Sequence, residues 1–169
     1  YNWEKMEQTG FEWWRRRFNR LENYFDAFRI DHILGFFRIW SIPLESIDGS
    51  MGRFVPAIPV DISEFGQNKI YFDYNRYCNP YITDTILQQL FGKNIQVAMN
   101  EFVVRNHDGT FSLRDVVNTQ RKALDYLKKN KLTRYRDALF SLISNVILFE
   151  EKGYSGQKFH FRIDMPETS

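Results

Sequence analysis

Apolar residues at the start of the chain recur with the period of a helix. Phe11, Trp14, Phe18, Leu21 and Phe25 fall at alternating steps of three and four, one stripe of an amphipathic helix predicted from Trp3 to about Phe25. Trp13, Arg17 and Tyr24 flank the stripe, while Arg15, Arg16 and Arg20 fall on the solvent side. The period then changes. In Ala27-Phe28-Arg29-Ile30-Asp31 apolar and polar residues alternate, which predicts a short strand with Phe28 and Ile30 on one face and Arg29 and Asp31 on the other. Gly35 permits a tight turn, Phe36, Phe37, Ile39 and Trp40 wall a site or a core, and Pro43 ends the run.

From Leu44 to about Asn79 the apolar pieces are short and broken by Gly49, Gly52, Pro56, Pro59 and Gly66. This predicts a long connection with only brief regular structure. Asp48-Gly49-Ser50-Met51-Gly52 is expected to be its most flexible part, either a lid or a surface loop without a role. Asn79-Pro80 predicts a helix start and Gly92 its stop, with Ile82, Ile86, Leu87, Leu90 and Phe91 inward. Glu101–Val104 and Thr110–Leu113 around Asn106-His107-Asp108-Gly109 predict a β-hairpin, and His107 reads as a solvated loop residue. Two helices are expected next. Asp115–Lys129 buries Val116, Val117, Gln120, Leu124 and Leu127; Thr133–Glu150 buries Tyr135, Leu139, Leu142, Val146 and Phe149. Gly153 stops the second, and Gln157–Ile163 alternates as a strand with Phe159, Phe161 and Ile163 on one face.

Composition narrows the function. The 169 residues suffice for one domain with a sizeable core, and the start at Tyr1, inside what reads as a motif, marks the chain as a piece of a larger protein. Aromatic residues make up 17%; this suits a packed core first and the stacking of sugar rings second. A net charge of +2 argues for neither nucleic acid nor a membrane surface as partner. Trp13-Trp14-Arg15-Arg16-Arg17-Phe18 resembles a nucleic-acid patch, but Glu4, Glu7, Glu12 and Glu22 dilute its charge. Lys128, Lys129 and Lys131 read as a solvated helix end. The single cysteine, Cys78, cannot form an internal disulfide and fits a reducing compartment. No apolar run approaches the roughly 18 residues of a membrane span and no signal pattern opens the chain, so a cytoplasmic location is the expectation.

The chemistry concentrates at Phe28–Trp40, where Arg29, Asp31 and His32 interrupt an apolar run. An arginine two residues from an aspartate on one strand face can hydrogen-bond the carboxylate and favour its ionised form, as a nucleophile requires. A structural ion pair at a strand end fits the spacing equally well. Glu150 and Glu151, after the apolar run Val146–Phe149, are candidates for a second carboxyl group; the continuous stripe from Tyr135 favours two helix-end glutamates instead.

The R-I-D-H core, followed by I-L-G-F-F-R-I-W and preceded by Y-N-W and W-W-R-R-R, resembles the 4-alpha-glucanotransferases of the amylomaltase type, glycoside hydrolase family 77, and among them the branch that includes the plant cytosolic disproportionating enzyme. The likeness continues in Gly52-Arg53-Phe54, Pro56, Pro59 and Pro80-Tyr81-Ile82, and again near Phe159–Ser169. It implies an α+β chain, mainly helical, holding part of a (β/α)8 barrel; a whole barrel takes about 250 residues. Residues 1–43 would be a barrel segment, 44–158 an insertion subdomain and 159–169 a strand returning to the barrel. By the same resemblance Asp31 is the nucleophile, Arg29 the residue that orients it, and His32 a donor-sugar contact. The partners implied are maltose, maltooligosaccharides or α-1,4-glucan, with no metal or organic cofactor; unpaired strand edges make a homodimer plausible. The family's acid/base glutamate motif does not occur between Asp31 and Ser169, so the chain alone is expected to be inactive. The alternative is a non-catalytic glucan-binding or subunit-interaction module.

Overall fold

Gly10 divides the first helix. It and Phe11 take left-handed backbone conformations, with φ of 59° and 58°, and the Arg15 guanidinium folds back to donate to the Gly10 carbonyl from Nε at 3.1 Å and Nη2 at 2.9 Å. The single helix expected from Trp3 to Phe25 is therefore two, α1 Trp3–Gln8, capped by Asn2, and α2 Glu12–Glu22. The apolar stripe survives on α2. Trp14 and Phe18 stack at 5.6 Å, Phe28 stacks on Phe18 at 4.9 Å, and Phe36 leans on Trp14 at 4.9 Å.

The computed structural model describes residues 2–151 and 153–162, which mix helix and strand in two units, Tyr1–Phe37 and Arg38–Ser169. In the first, no residue among 2–37 is fully buried; its order rests on the aromatic ladder along α2. The strand expected over Phe28–Asp31 is not formed, because a strand exists only through pairing and this segment has no strand partner among the described residues. A 3-10 turn, Ile33–Phe36, follows.

The second unit opens with β1 Ile39–Ser41, antiparallel to β2 Arg53–Val55. The segment between them, expected to be flexible, is hydrogen-bonded throughout its tip. Gly49–Met51 forms a 3-10 turn, and the Trp40 indole Nε1 donates to the Gly49 carbonyl at 3.2 Å. Gly52 is buried because Trp40 leaves no room beside it: a Cβ there would lie 2.2 Å from Trp40 Nε1. Its backbone, φ −77° and ψ 163°, is open to any residue, so the constraint is purely steric. Gly52→Ala is expected to cost about 1–3 kcal/mol through displacement of the indole. Thermal unfolding followed by indole fluorescence checks it, and an unchanged midpoint with unshifted emission would refute the contact.

Two clusters make the core of this unit. The smaller joins α3 Ile62–Gln67 and α4 Tyr74–Cys78 to a three-stranded antiparallel sheet of β3 Val60–Asp61, β7 Lys158–Phe161 and β6 Leu148–Glu150, with β7 central. Asp61 and Glu64 close a capping box on α3. Phe65, Leu148 and Phe159 are buried there. Phe161 lies 6.4 Å from Phe65 but at the strand end, where it is exposed. Ile163 and the stretch to Ser169 lie outside the described residues. The thiol of Cys78 is pushed up to about 11 by burial and then by the charge of Glu150, which leaves it a protonated packing group.

The larger cluster brings together α5 Asp84–Phe91, α6 Ile95–Glu101, the hairpin β4 Val103–Arg105 and β5 Phe111–Leu113, α7 Gln120–Lys129 and α8 Arg136–Ile143. The hairpin and the stop of α5 at Gly92 follow expectation. Three helix ends do not. Thr83, not Asn79, caps α5, because Ile82 is drawn into a bridge with Phe111 that needs extended backbone. Thr119, not a residue near Asp115, caps α7, and Val116 is left exposed. The helix expected from Thr133 to Glu150 begins as a 3-10 turn, Thr133–Tyr135, and ends at Ile143. Asn145 then pairs with Tyr81, donating from its side chain to the Tyr81 carbonyl at 2.6 Å while its own carbonyl accepts from Tyr81 N at 3.1 Å. The chain turns there and continues as β6.

Candidate active site

Phe28 and Phe36 pack against α2 and hold the intervening residues outward. Arg29, Asp31 and His32 all lie in this arch. The guanidinium Nη2 of Arg29 stands 3.7 Å from Asp31 Oδ1, with the two side chains 88% and 89% exposed. At that separation the contact is an ion pair rather than the expected hydrogen bond, and in full solvent such a pair contributes about 0–1 kcal/mol. It leaves both side chains free to move in solvent.

His32 takes the left-handed conformation, φ 54° and ψ 56°, and its carbonyl accepts from Gly35 N at 2.9 Å. A non-glycine residue in that region carries a backbone cost. The result is a reversal directly after Asp31, which sets the carboxylate at the crest of the arch with the imidazole following it. Around the crest, Phe28, Ile30, Ile33, Leu34 and Phe37 are all exposed. The arch thus presents an exposed carboxylate with an adjacent cation, edged with exposed apolar side chains.

The sequence candidates for a second carboxyl group stand in the other unit and are engaged. Glu150 accepts from the Tyr74 hydroxyl at 2.6 Å and from Gly156 N. These two hydrogen bonds hold its carboxyl below the ordinary range, and the same contact pushes the Tyr74 hydroxyl up to about 12. An acid held ionised in this way is a poor proton donor. Glu151 pairs with Arg53 Nη2 at 3.2 Å and with His160 Nε2, and His160 is buried. Arg53 belongs to the Gly52-Arg53-Phe54 motif, so part of that motif serves to tie β2 to the end of β6.

Two features escaped the sequence reading. The side chain of Gln120, expected to be merely buried, holds the Ile47–Asp48 backbone. A polar cleft lined by Arg76, Tyr81, Asn106 and Asp108 lies between α4 and the β4–β5 hairpin; its one sequence signal is the recurrence of asparagine on both sides of Pro80-Tyr81. Among the described residues no group of three or more His, Cys, Asp or Glu side chains is arranged to hold a metal ion, and no helix is long and apolar enough to cross a membrane.

The rice (Oryza sativa subsp. japonica) 4-alpha-glucanotransferase DPE2 is 33% identical over 177 residues, an alignment that takes in 100% of this chain and 18% of the rice protein. The potato (Solanum tuberosum) chloroplastic/amyloplastic 4-alpha-glucanotransferase is 47% identical over 53 residues, 31% of this chain and 9% of that protein. The Synechocystis 4-alpha-glucanotransferase is 40% identical over 57 residues, 34% of this chain and 11% of its own length. The chain thus spans less than a fifth of these relatives. No solved structure matches it. The family model described as 4-alpha-glucanotransferase, glycoside hydrolase family 77, covers residues 1–145, most of the chain, and to that family this chain belongs.

Proposed function

We propose that the chain is part of an enzyme that moves glucosyl or maltooligosyl units from maltose or α-1,4-glucans to a sugar acceptor, with Asp31 as nucleophile. The observation that carries this reading is the arch itself: within a family of glucanotransferases, an ionisable carboxylate stands at a strained reversal beside Arg29 and His32.

In a retaining transfer Asp31 attacks the anomeric carbon as the glycosidic bond breaks, and a second carboxyl group about 5–5.5 Å away protonates the departing sugar oxygen. The acceptor hydroxyl then gives its proton to that same group and attacks the anomeric carbon, releasing Asp31. Arg29 orients the carboxylate and His32 hydrogen-bonds a hydroxyl of the donor sugar. Glu150 and Glu151 are engaged elsewhere, and on this reading the proton-transferring carboxyl comes from outside the chain. The exposed Phe28, Ile30, Ile33 and Leu34 become buried when Phe28–Asp31 is paired as a strand of a (β/α)8 barrel. Walls of that kind exclude water, so the acceptor sugar competes successfully for the intermediate.

Residues from about Leu44 to Lys158 form an insertion in this scheme. Its support is the uneven reach of the relatives: the DPE2 protein aligns with the whole chain, the potato and Synechocystis proteins with about a third. The decisive experiment is trapping. A fluorinated glucosyl fluoride, incubated with a protein that carries this sequence at the length of its relatives, should leave a covalent glycosyl group on the peptide containing Asp31, read by mass spectrometry. A label on any other carboxylate sinks the assignment.

A further inference from the structure

We propose that the cleft between α4 and the β4–β5 hairpin is a binding site for a short α-1,4-linked oligosaccharide. It encloses about 560 Å³, within the range of about 300–1,000 Å³ that holds small ligands. Its polar lining is made largely of amides and hydroxyls, among them Asn79, Asn106, Asn118 and Thr110. Such groups both donate and accept. So do the hydroxyls of a sugar, and few other ligands present that dual character on every side.

Charge excludes the main rival. Asp73 and Asp108 line the cleft with Arg76 as the single cation among them, a balance that repels phosphate and nucleic acid and tolerates a neutral polyol. The aromatic and apolar floor comes from Tyr81, Ile82 and Phe111, against which the C–H face of a pyranose ring can lie. Arg76 adds the sharpest sign. Its guanidinium sits 4.2 Å from the centroid of the Tyr81 ring, and its Nη1 is buried with no hydrogen-bond partner among the described residues. Buried polar groups are nearly always paired. A ligand hydroxyl entering beside Tyr81 meets that donor after a small turn of the guanidinium.

That the occupant is a neutral sugar follows from the lining; that it is α-1,4-linked rests on the proposed function. The test titrates maltotriose, cellotriose and inorganic phosphate separately into the isotope-labelled chain, with NMR readout of the Arg76 Nε–H and the Asn79 and Asn106 side-chain amides. Maltotriose is expected to shift these signals saturably, with cellotriose about tenfold weaker and phosphate without effect. Arg76→Gln should weaken maltotriose about tenfold or more, as loss of a charged donor does. Asn118→Ala removes an exposed rim contact, should weaken binding several-fold, and keeps the test valid if the Arg76 variant fails to fold. Absence of saturable shifts, equal affinity for cellotriose, displacement by phosphate, or unchanged affinity in both variants overturns the proposal. Binding here is read without any transfer reaction, so it can fail while glycosyl trapping on Asp31 succeeds, and the reverse.

Discussion

Asp31→Asn, made in a protein that carries this sequence at the length of its relatives, is expected to lower glucose release from maltose by about 10⁴-fold or more, the scale seen when a covalent nucleophile is removed from a constellation that acts as a unit. The amide is close in shape to the carboxylate and lacks only its charge and nucleophilicity. Because the Asp31 side chain is 89% exposed in this chain, the substitution should shift the chain's own stability by no more than about 0.5 kcal/mol. The loss should appear in kcat with little change in KM if, as proposed, the donor sugar still meets His32 and apolar walls around the arch. The unmodified chain of 169 residues provides the second arm. On the proposed reading it carries Asp31 without its proton-transferring partner, the two sequence candidates Glu150 and Glu151 being engaged elsewhere, and it is expected to release no glucose. A variant that keeps a tenth of the activity would remove Asp31 from its role; measurable release by the short chain would place the second carboxyl group within it.

That experiment tests what was most legible in the sequence. Asp31, Arg29 and His32 stood out because polar groups in an apolar run need a reason; in the structure Arg29 stands 3.7 Å from Asp31 and His32 follows at the reversal. What the sequence misreported there was the strand. Alternation at Phe28 and Ile30 encodes a preference for pairing, and pairing is a property of the partner as much as of the segment. Elsewhere the errors share one cause. Thr83 and Asn79 are both good helix caps, and the choice between them is made by Phe111, which pairs with Ile82. The apolar spacing from Leu139 to Phe149 fits a helix, yet Val146 to Phe149 also suits a strand; Asn145, bonded to Tyr81 from 64 positions away, decides. Local pattern identified α2, the body of α5, the β4–β5 hairpin, and all of α7 though with a start five residues too early. Contacts between residues far apart in the chain set the ends of the others.

The segment Ile47–Gly52 shows the same rule with the largest structural consequence. Two glycines and a serine mark it as flexible, and the residue that orders it is Gln120, which is 1% exposed. Its Oε1 accepts from Ile47 N at 2.7 Å and Asp48 N at 3.1 Å, and its Nε2 donates to Asp48 Oδ2 at 2.9 Å. Arg121 completes the hold, donating from its backbone to the Glu45 carbonyl at 3.1 Å and from Nε to the Leu44 carbonyl at 3.0 Å. One donor at the start of α7, free in an isolated helix, is thereby satisfied. Gln120→Ala strips two backbone donors and one carboxylate oxygen of their partner. With some of that recovered by water, the expected cost is about 2–3 kcal/mol, a fall in Tm of roughly 4–12 °C.

The pH dependence carries the sign that identifies the mechanism. Burial works to raise the Asp48 carboxyl, but hydrogen bonds from Ser50 and Gln120 outweigh it and hold the group below its ordinary 3.8. A depressed carboxyl contributes stability that is fully present above its unfolded value and is lost as pH falls through the folded one. The unmodified chain should therefore lose this contribution only below about pH 4, and Gln120→Ala should flatten that acid limb. Gln120→Glu reverses the slope. Its carboxylate still accepts from Ile47 and Asp48 N–H but faces Asp48 Oδ2 with like charge, so this variant is weakest near neutrality and regains stability on acidification as one of the two carboxyls takes a proton. Denaturant midpoints measured between pH 3 and 7 distinguish the cases. A Gln120→Ala variant within about 0.5 kcal/mol of the unmodified chain, or a Gln120→Glu variant that weakens steadily with acid, would show that the Ile47–Asp48 turn is ordered by something other than Gln120.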